Sequence, residues 1–221
     1  MRRFSVPPLK ASATVKVVFD GNSLVQGVGA TSTPLPTAFS SLVPGVASVT
    51  NLGGSGRTWR QMNGLDSGSA AAVDAAFDTS KTNVLFAWET TNTVFNTGRS
   101  AAQTIQDATD YIAARRLAHP GWRIVLLTSI PRQPGLIPNQ TMATVDAAFL
   151  GNYRAIGADA VVNVRRPGSY FNFADYSDAT FANDPSGYWS EAAGGRVHLR
   201  DSAYQLIAGW CREAFKRLRA R

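Results

Sequence analysis

Two kinds of apolar pattern alternate along the chain. Short, β-branched runs occupy residues 15–19 (VKVVF), 46–52 (VASVTNL), 83–88 (NVLFAW), 123–128 (RIVLLT) and 160–164 (AVVNV). Each has the length and composition of a strand, and 83–88 is apolar enough to be covered on both faces. Between them lie segments with helical spacing: 34–42, the alanine-rich 67–77, 100–117, 140–156, and a last helix starting near Asp201. In the third of these, Ala101, Ile105, Ala108 and Ile112 share one face, and Pro120-Gly121 ends it. The last helix carries an apolar stripe of Ala203, Leu206, Ile207, Trp210, Ala214 and Leu218, with Ser202 and Gln205 spaced for a capping box. Residues 1–12 read as an extended arm, and 165–197 as a long loop rich in Gly, Asp, Ser and aromatic residues.

Strands alternating with helices predict an α/β fold, a parallel sheet covered by helices on both faces. No linker or repeat divides residues 13–221, so they are expected to form one domain. In such sheets ligands bind beyond the carboxyl ends of the strands. Ser23 follows the first strand, the glycine-rich loop 53–56 the second, and Asn92 the third. Three separate loops therefore converge on one rim.

Composition narrows the classes. The chain has 221 residues, 44% of them hydrophobic, which is enough for a sizeable core. A single cysteine, Cys211, excludes an intrachain disulfide and lies on the apolar stripe of the last helix, where it reads as a small hydrophobe. Two histidines and one cysteine speak against a zinc site. Net charge is +7, with Arg212, Lys216, Arg217, Arg219 and Arg221 gathered at the end of the last helix, where cations suit the helix dipole. No aromatic residues interleave them, so nucleic acid is not the expected partner. No stretch is apolar enough for a signal-peptide core or a membrane span, and Pro7-Pro8 interrupts the basic N-terminus. The expectation is a soluble chain made inside a cell, without a membrane partner, compatible with a homo-oligomer or with a larger particle such as a virion.

The chemistry centres on two residues. Ser23 turns out of an apolar strand in VVFDGNSLVQG, and His198 precedes the last helix in VHLRDSAYQLIAGW. A serine hydroxyl needs a base to take its proton and donors to hold the oxyanion it generates. His119, before Pro120 at a helix end, reads as a cap, which leaves His198 as the base. The backbone N–H groups of Ser23 and Gly56 and the side-chain amide of Asn92 are donors of the right kind in the right place. Read singly, Gly56 is better explained by an ordinary turn and Asn92 by an Asx turn; only together do they suggest an oxyanion hole. Trp59, Trp88, Tyr188 and Trp189 cluster near the same rim.

The ordered blocks GNSLVQG, NLGGSGRTW, ETTNTV and VHLRDSAYQLIA resemble the SGNH/GDSL hydrolases, from the first strand to the last helix. The resemblance implies a flavodoxin-like, three-layer α/β/α fold with about five parallel strands. It implies Ser23 as nucleophile, His198 as base, and Ser23 N–H, Gly56 and Asn92 as the oxyanion hole. It also implies ester hydrolysis through an acyl-enzyme, often of acetyl groups on carbohydrates, with no metal or organic cofactor.

Two departures stand out. The family's GDS reads Gly21-Asn22-Ser23, which keeps the turn bonding but not the charge. The family's Asp three residues before the histidine is replaced by Gly195. Three arrangements remain open: another carboxylate, with Glu191 nearest and Asp184 and Asp178 in the same loop; a backbone carbonyl leaving a Ser-His dyad; or an impaired site. The leading expectation is a carbohydrate O-deacetylase acting on an acylated glycan. The rivals are a binding or structural protein on the same fold, and a lipase or thioesterase.

Overall fold

The computed structural model describes residues 15–43, 46–132, 136–166, 187–191 and 196–219. The expected arm 1–12, Asp178, Asp184, Gly195 and Arg221 lie outside these. Five parallel strands form one sheet: β1 (Val15–Gly21), β2 (Val46–Gly53), β3 (Thr82–Trp88), β4 (Trp122–Leu127) and β5 (Ala160–Val162), in the order β2-β1-β3-β4-β5. This is the flavodoxin-like order, and its switch point falls between β1 and β3.

The helices are α1 (Ser23–Gln26), α2 (Leu35–Leu42), α3 (Trp59–Met62), α4 (Ala71–Ala75), α5 (Thr91–Thr97), α6 (Ala101–Ala118), α7 (Leu136–Ile156) and α8 (Asp201–Arg219). They cover both faces of the sheet. On one face Val17, Phe19, Val84, Phe86, Val125 and Leu127 pack beneath α2 and α8. Phe19 stacks on Phe86 with ring centres 4.7 Å apart, and Phe39 of α2 meets Phe215 of α8 edge-on at 5.7 Å. On the other face Val18, Leu85, Ala87, Ile124 and Leu126 pack against residues of α3, α4, α6 and α7. The alternation of Val17 and Phe19 with Val18 sends successive side chains to opposite layers.

Several sequence expectations need correction. The alanine-rich segment is helical only over Ala71–Ala75. Asp66 and Ser67 have positive φ, and a Cβ on Gly68 would stand 2.1 Å from the Gln61 carbonyl oxygen, so the chain is still turning there. Helix α7 starts before residue 140 because Pro138 sits in its first turn, where no intrahelical N–H is missed. Ser202 lies inside α8, and no Ser202–Gln205 capping box forms. Asp201 instead turns its carboxylate outward, onto the N–H groups of Thr31, Ser32 and Thr33 at 3.0, 3.2 and 3.1 Å. Tyr204 adds a hydroxyl donated to the Val28 carbonyl at 2.9 Å. These contacts fasten the segment after Ser23 to the helix after His198. Cys211 is buried in α8, and burial pushes its thiol pKa up. His119 caps α6, its ring stacked on Phe77 at 4.4 Å. No helix among the described residues is long and apolar enough to cross a membrane.

Candidate active site

Strand β1 ends at Gly21, and Asn22 caps the single turn of α1 by accepting the Leu24 N–H at 2.9 Å. That cap turns the chain so that Ser23 sits at the carboxyl edge of the sheet, next to the switch point. Beyond β2, Gly56 adopts φ +77, a conformation that side chains disfavour, and a Cβ there would meet nothing within 4 Å. Arg57 fixes this loop: its guanidinium donates to Asp20 Oδ1 and to the Leu52 carbonyl, both at 2.7 Å. The Arg57 carbonyl accepts from the Asn92 side-chain amide at 3.1 Å, tying the second loop to the third. No acceptor for the Ser23 or Gly56 N–H occurs among the described residues. Ser23, Gly56, Asn92 and His198 line one cleft of about 300 Å³, with Val28, Ser55, Asn96, Arg132 and Val197.

Ser23 Oγ lies 3.0 Å from His198 Nε2, across 175 positions of sequence. The other ring nitrogen, Nδ1, meets Glu191 Oε1 at 2.5 Å. Glu191 Oε2 accepts the backbone N–H of His198 at 2.9 Å and of Val197 at 3.2 Å. A short antiparallel pairing creates this grip. Trp189 bridges Leu199, Ser190 N–H donates to the His198 carbonyl at 3.0 Å, and Arg200 N–H to the Tyr188 carbonyl at 2.8 Å. The ladder brings residue 191 beside residues 197 and 198, so an acid seven positions upstream reaches the imidazole. Burial works to raise the Glu191 carboxyl pKa, but hydrogen bonds from the His198 backbone and ring, Val197 and Ser190 outweigh it and hold it below the ordinary value. Glu191 is therefore in the form that can hold an Nδ1–H and stabilise an imidazolium. Among the three arrangements left open by the sequence, the geometry is that of a carboxylate, not of a dyad.

The sequence did not single out Glu89. This fully buried carboxylate follows β3 and caps the first turn of α5, taking the N–H groups of Asn92 and Thr93 at 2.7 and 3.2 Å and the Thr93 hydroxyl at 2.6 Å. Asn22 Nδ2 also points at it, at 3.5 Å. Asn22 and Glu89 thus suit each other: an aspartate at position 22 would set a second carboxylate against a buried one. The signal was a lone glutamate closing an otherwise apolar run, VLFAWE.

Burial pushes the Glu89 pKa from 4.5 to about 7, against the opposing hydrogen bonds of Thr93, Asn92 and Asn22. The folded protein then binds more protons than the unfolded chain between about pH 4.5 and 7, so this group's contribution to stability falls as pH rises through that window. The full change approaches about 3 kcal/mol. Urea unfolding of wild type and Glu89→Gln at pH 5 and pH 8 is expected to show the wild type losing ground to the variant at the higher pH. A pH-independent difference would contradict this.

The aromatic residues placed near the rim by sequence are not among those that line the cleft. Trp59, Trp88 and Trp189 are buried in the two cores, and Trp88 donates its indole N–H to the Thr128 carbonyl at 2.9 Å. Tyr188 packs on the α8-side core.

A serine, a histidine and a carboxylate thus stand in hydrogen-bonded sequence in a cleft at the carboxyl edge of a 2-1-3-4-5 sheet, beside its switch point. The chain has the fold of the GDSL/SGNH hydrolases. It superposes on a member of the lipolytic G-D-S-L family from Veillonella parvula with TM-score 0.65 and 16% identity, covering 92% of this chain and 100% of that one. A family 3 carbohydrate esterase from Clostridium thermocellum gives TM-score 0.62 at 18% identity over 94% and 98% of the two chains. A carbohydrate esterase family 3 protein from Talaromyces cellulolyticus gives 0.61 at 18% identity over 94% and 100%. No protein-family model and no curated protein matches the sequence.

Proposed function

We propose that this protein is a serine carboxylic ester hydrolase and that it removes short acyl groups, acetyl foremost, from carbohydrate hydroxyls. The observation that carries the reading is the continuous chain Ser23 Oγ–His198 Nε2, His198 Nδ1–Glu191. Ser23 Oγ attacks the ester carbonyl while His198 Nε2 takes its proton, and Glu191 balances the imidazolium. The N–H groups of Ser23 and Gly56 and the Asn92 amide receive the oxyanion. The imidazolium then returns the proton to the departing alkoxide, leaving an acyl-enzyme. Water attacks that carbonyl, gives its proton to His198, and releases the carboxylic acid and free Ser23.

The polar side chains at the cleft support a hydroxylated alcohol. Among the described residues Ser55, Asn92, Asn96 and Arg132 line it, with Val28 and Val197 on the apolar side. Two of the structural neighbours are carbohydrate esterases, which supports the same direction. The test is a fluorophosphonate label read by peptide mass spectrometry, with 4-nitrophenyl esters from acetate to octanoate. The expected result is one adduct on Ser23 and activity greatest on acetate. A protein that takes no label at Ser23 is a binding or structural protein; activity greatest on the long chains makes it a lipase.

A further inference from the structure

Among the described residues that line the cleft, one charged side chain is not used by ester hydrolysis. Arg132, after β4, faces the same space as Ser23 and His198. Its backbone is clamped by Asn139 of α7, whose Oδ1 accepts the Arg132 N–H at 3.0 Å and whose Nδ2 donates to the Arg132 carbonyl at 2.8 Å. Its guanidinium lies over the Phe95 ring, 4.2 Å from the centroid. Its Nε is buried without a hydrogen-bond partner, and no carboxylate among the described residues forms an ion pair with it.

Such an arrangement costs stability. A guanidinium stays charged in proteins, and a charge drawn out of water without a partner is unfavourable. Burial pulls the Arg132 pKa down, and the compensating charge among the described residues is Glu191, already committed to His198. A side chain that only filled space against Phe95 would need no charge. A pre-positioned, partly desolvated guanidinium with an unused donor suits a ligand carboxylate, which it can meet with parallel hydrogen bonds. Little rotamer entropy remains to be lost when it does.

We propose that Arg132 is a specificity residue that receives a carboxylate on the substrate, so that the site prefers anionic esters to neutral ones. This rests on the esterase reading above. The carboxylate can belong to the alcohol, as in a uronic acid, or to the acyl group, as in a hemisuccinate.

Four esters in two pairs separate the cases: acetylated methyl glucuronoside against acetylated methyl glucoside, and 4-nitrophenyl hemisuccinate against 4-nitrophenyl butyrate. The expected result is that one anionic ester exceeds its neutral counterpart in kcat/KM by about tenfold to a hundredfold, the range of a charge-assisted hydrogen bond. That ratio collapses in Arg132→Gln, recovers in part in Arg132→Lys, and shrinks with added salt. Equal ratios in wild type and Arg132→Gln overturn the proposal while leaving the esterase reading intact. Binding gives a separate readout. Calorimetric titration of Ser23→Ala with methyl glucuronoside and with succinate is expected to show binding that the added Arg132→Gln change removes. If no ester is hydrolysed but this Arg132-dependent binding is present, the anion site stands and the esterase reading fails. If neither anion binds in an Arg132-dependent way and no ester is hydrolysed, both fail.

Discussion

Glu191→Gln is expected to lower kcat/KM about 10⁴-fold, the loss seen when the acid of a serine triad becomes an amide. The local bonding makes this change worse than deletion. Two backbone N–H groups, from Val197 and His198, point at the Oε2 position. A glutamine must place its carbonyl oxygen there, because an NH₂ would face two donors. Its NH₂ then falls on His198 Nδ1, where Glu191 Oε1 now sits. Donation to Nδ1 forces the proton onto Nε2, and an Nε2–H cannot accept the proton of Ser23. Glu191→Ala removes the orienting bond without imposing the wrong tautomer, so it is expected to keep more activity than Glu191→Gln. Steady-state kinetics on an acetate ester rank the two; the reverse order would show that Glu191 does not set the tautomer.

Ser23→Ala is expected to lose about 10⁶-fold in kcat, as when the nucleophile of a serine hydrolase is removed. Residues that act as one unit are not additive. Adding Glu191→Gln to Ser23→Ala should therefore cost little more, because an imidazole with no hydroxyl to deprotonate has no tautomer to get wrong. The residual rate would measure what the oxyanion donors do alone: the backbone N–H groups of residues 23 and 56 and the Asn92 amide. Thermal melting controls for folding, since Ser23 and Glu191 both lie at the rim. If Ser23→Ala keeps wild-type activity, the cleft is not where hydrolysis occurs. If the two changes multiply, Ser23 and Glu191 do not belong to one relay.

The sheet was readable because its strands are β-branched runs between glycine-rich turns, and a strand buried on both faces leaves little else it can be. The long helices α6 and α8 were readable from their periodicity. Helices α1, α3 and α5 were not, since four to seven residues hold too little of a 3.6-residue period to register. Those three short helices carry or adjoin Ser23, Arg57 and Asn92, so the elements that aim the site are the ones a pattern misses. Ser23 and His198 stood out because few side chains do their chemistry. Glu191 could be suggested by nearness alone. The ladder between residues 188–190 and 198–200 that delivers it is a tertiary feature, with no apolar alternation long enough to announce a strand pair. Arg132 had neither motif nor spacing to mark it, and Glu89 only its place at the end of an apolar run; burial gives both their meaning. The tryptophans show the converse. Their proximity to the rim in sequence says nothing about which way a ring turns, and Trp59 and Trp189 turned into the cores.

The clasp between Asp201 and the Thr31–Thr33 backbone has a consequence for the timing of the protein's birth. The hydroxyl is translated first, and the imidazole follows only 175 positions later, with its glutamate and the helix that pins them close by in sequence. A ribosome-bound chain that stops short of residue 190 carries the serine with no base beside it. Until α8 docks, the hydroxyl has no imidazole beside it, so the hydrogen-bonded set of Ser23, His198 and Glu191 is completed only then.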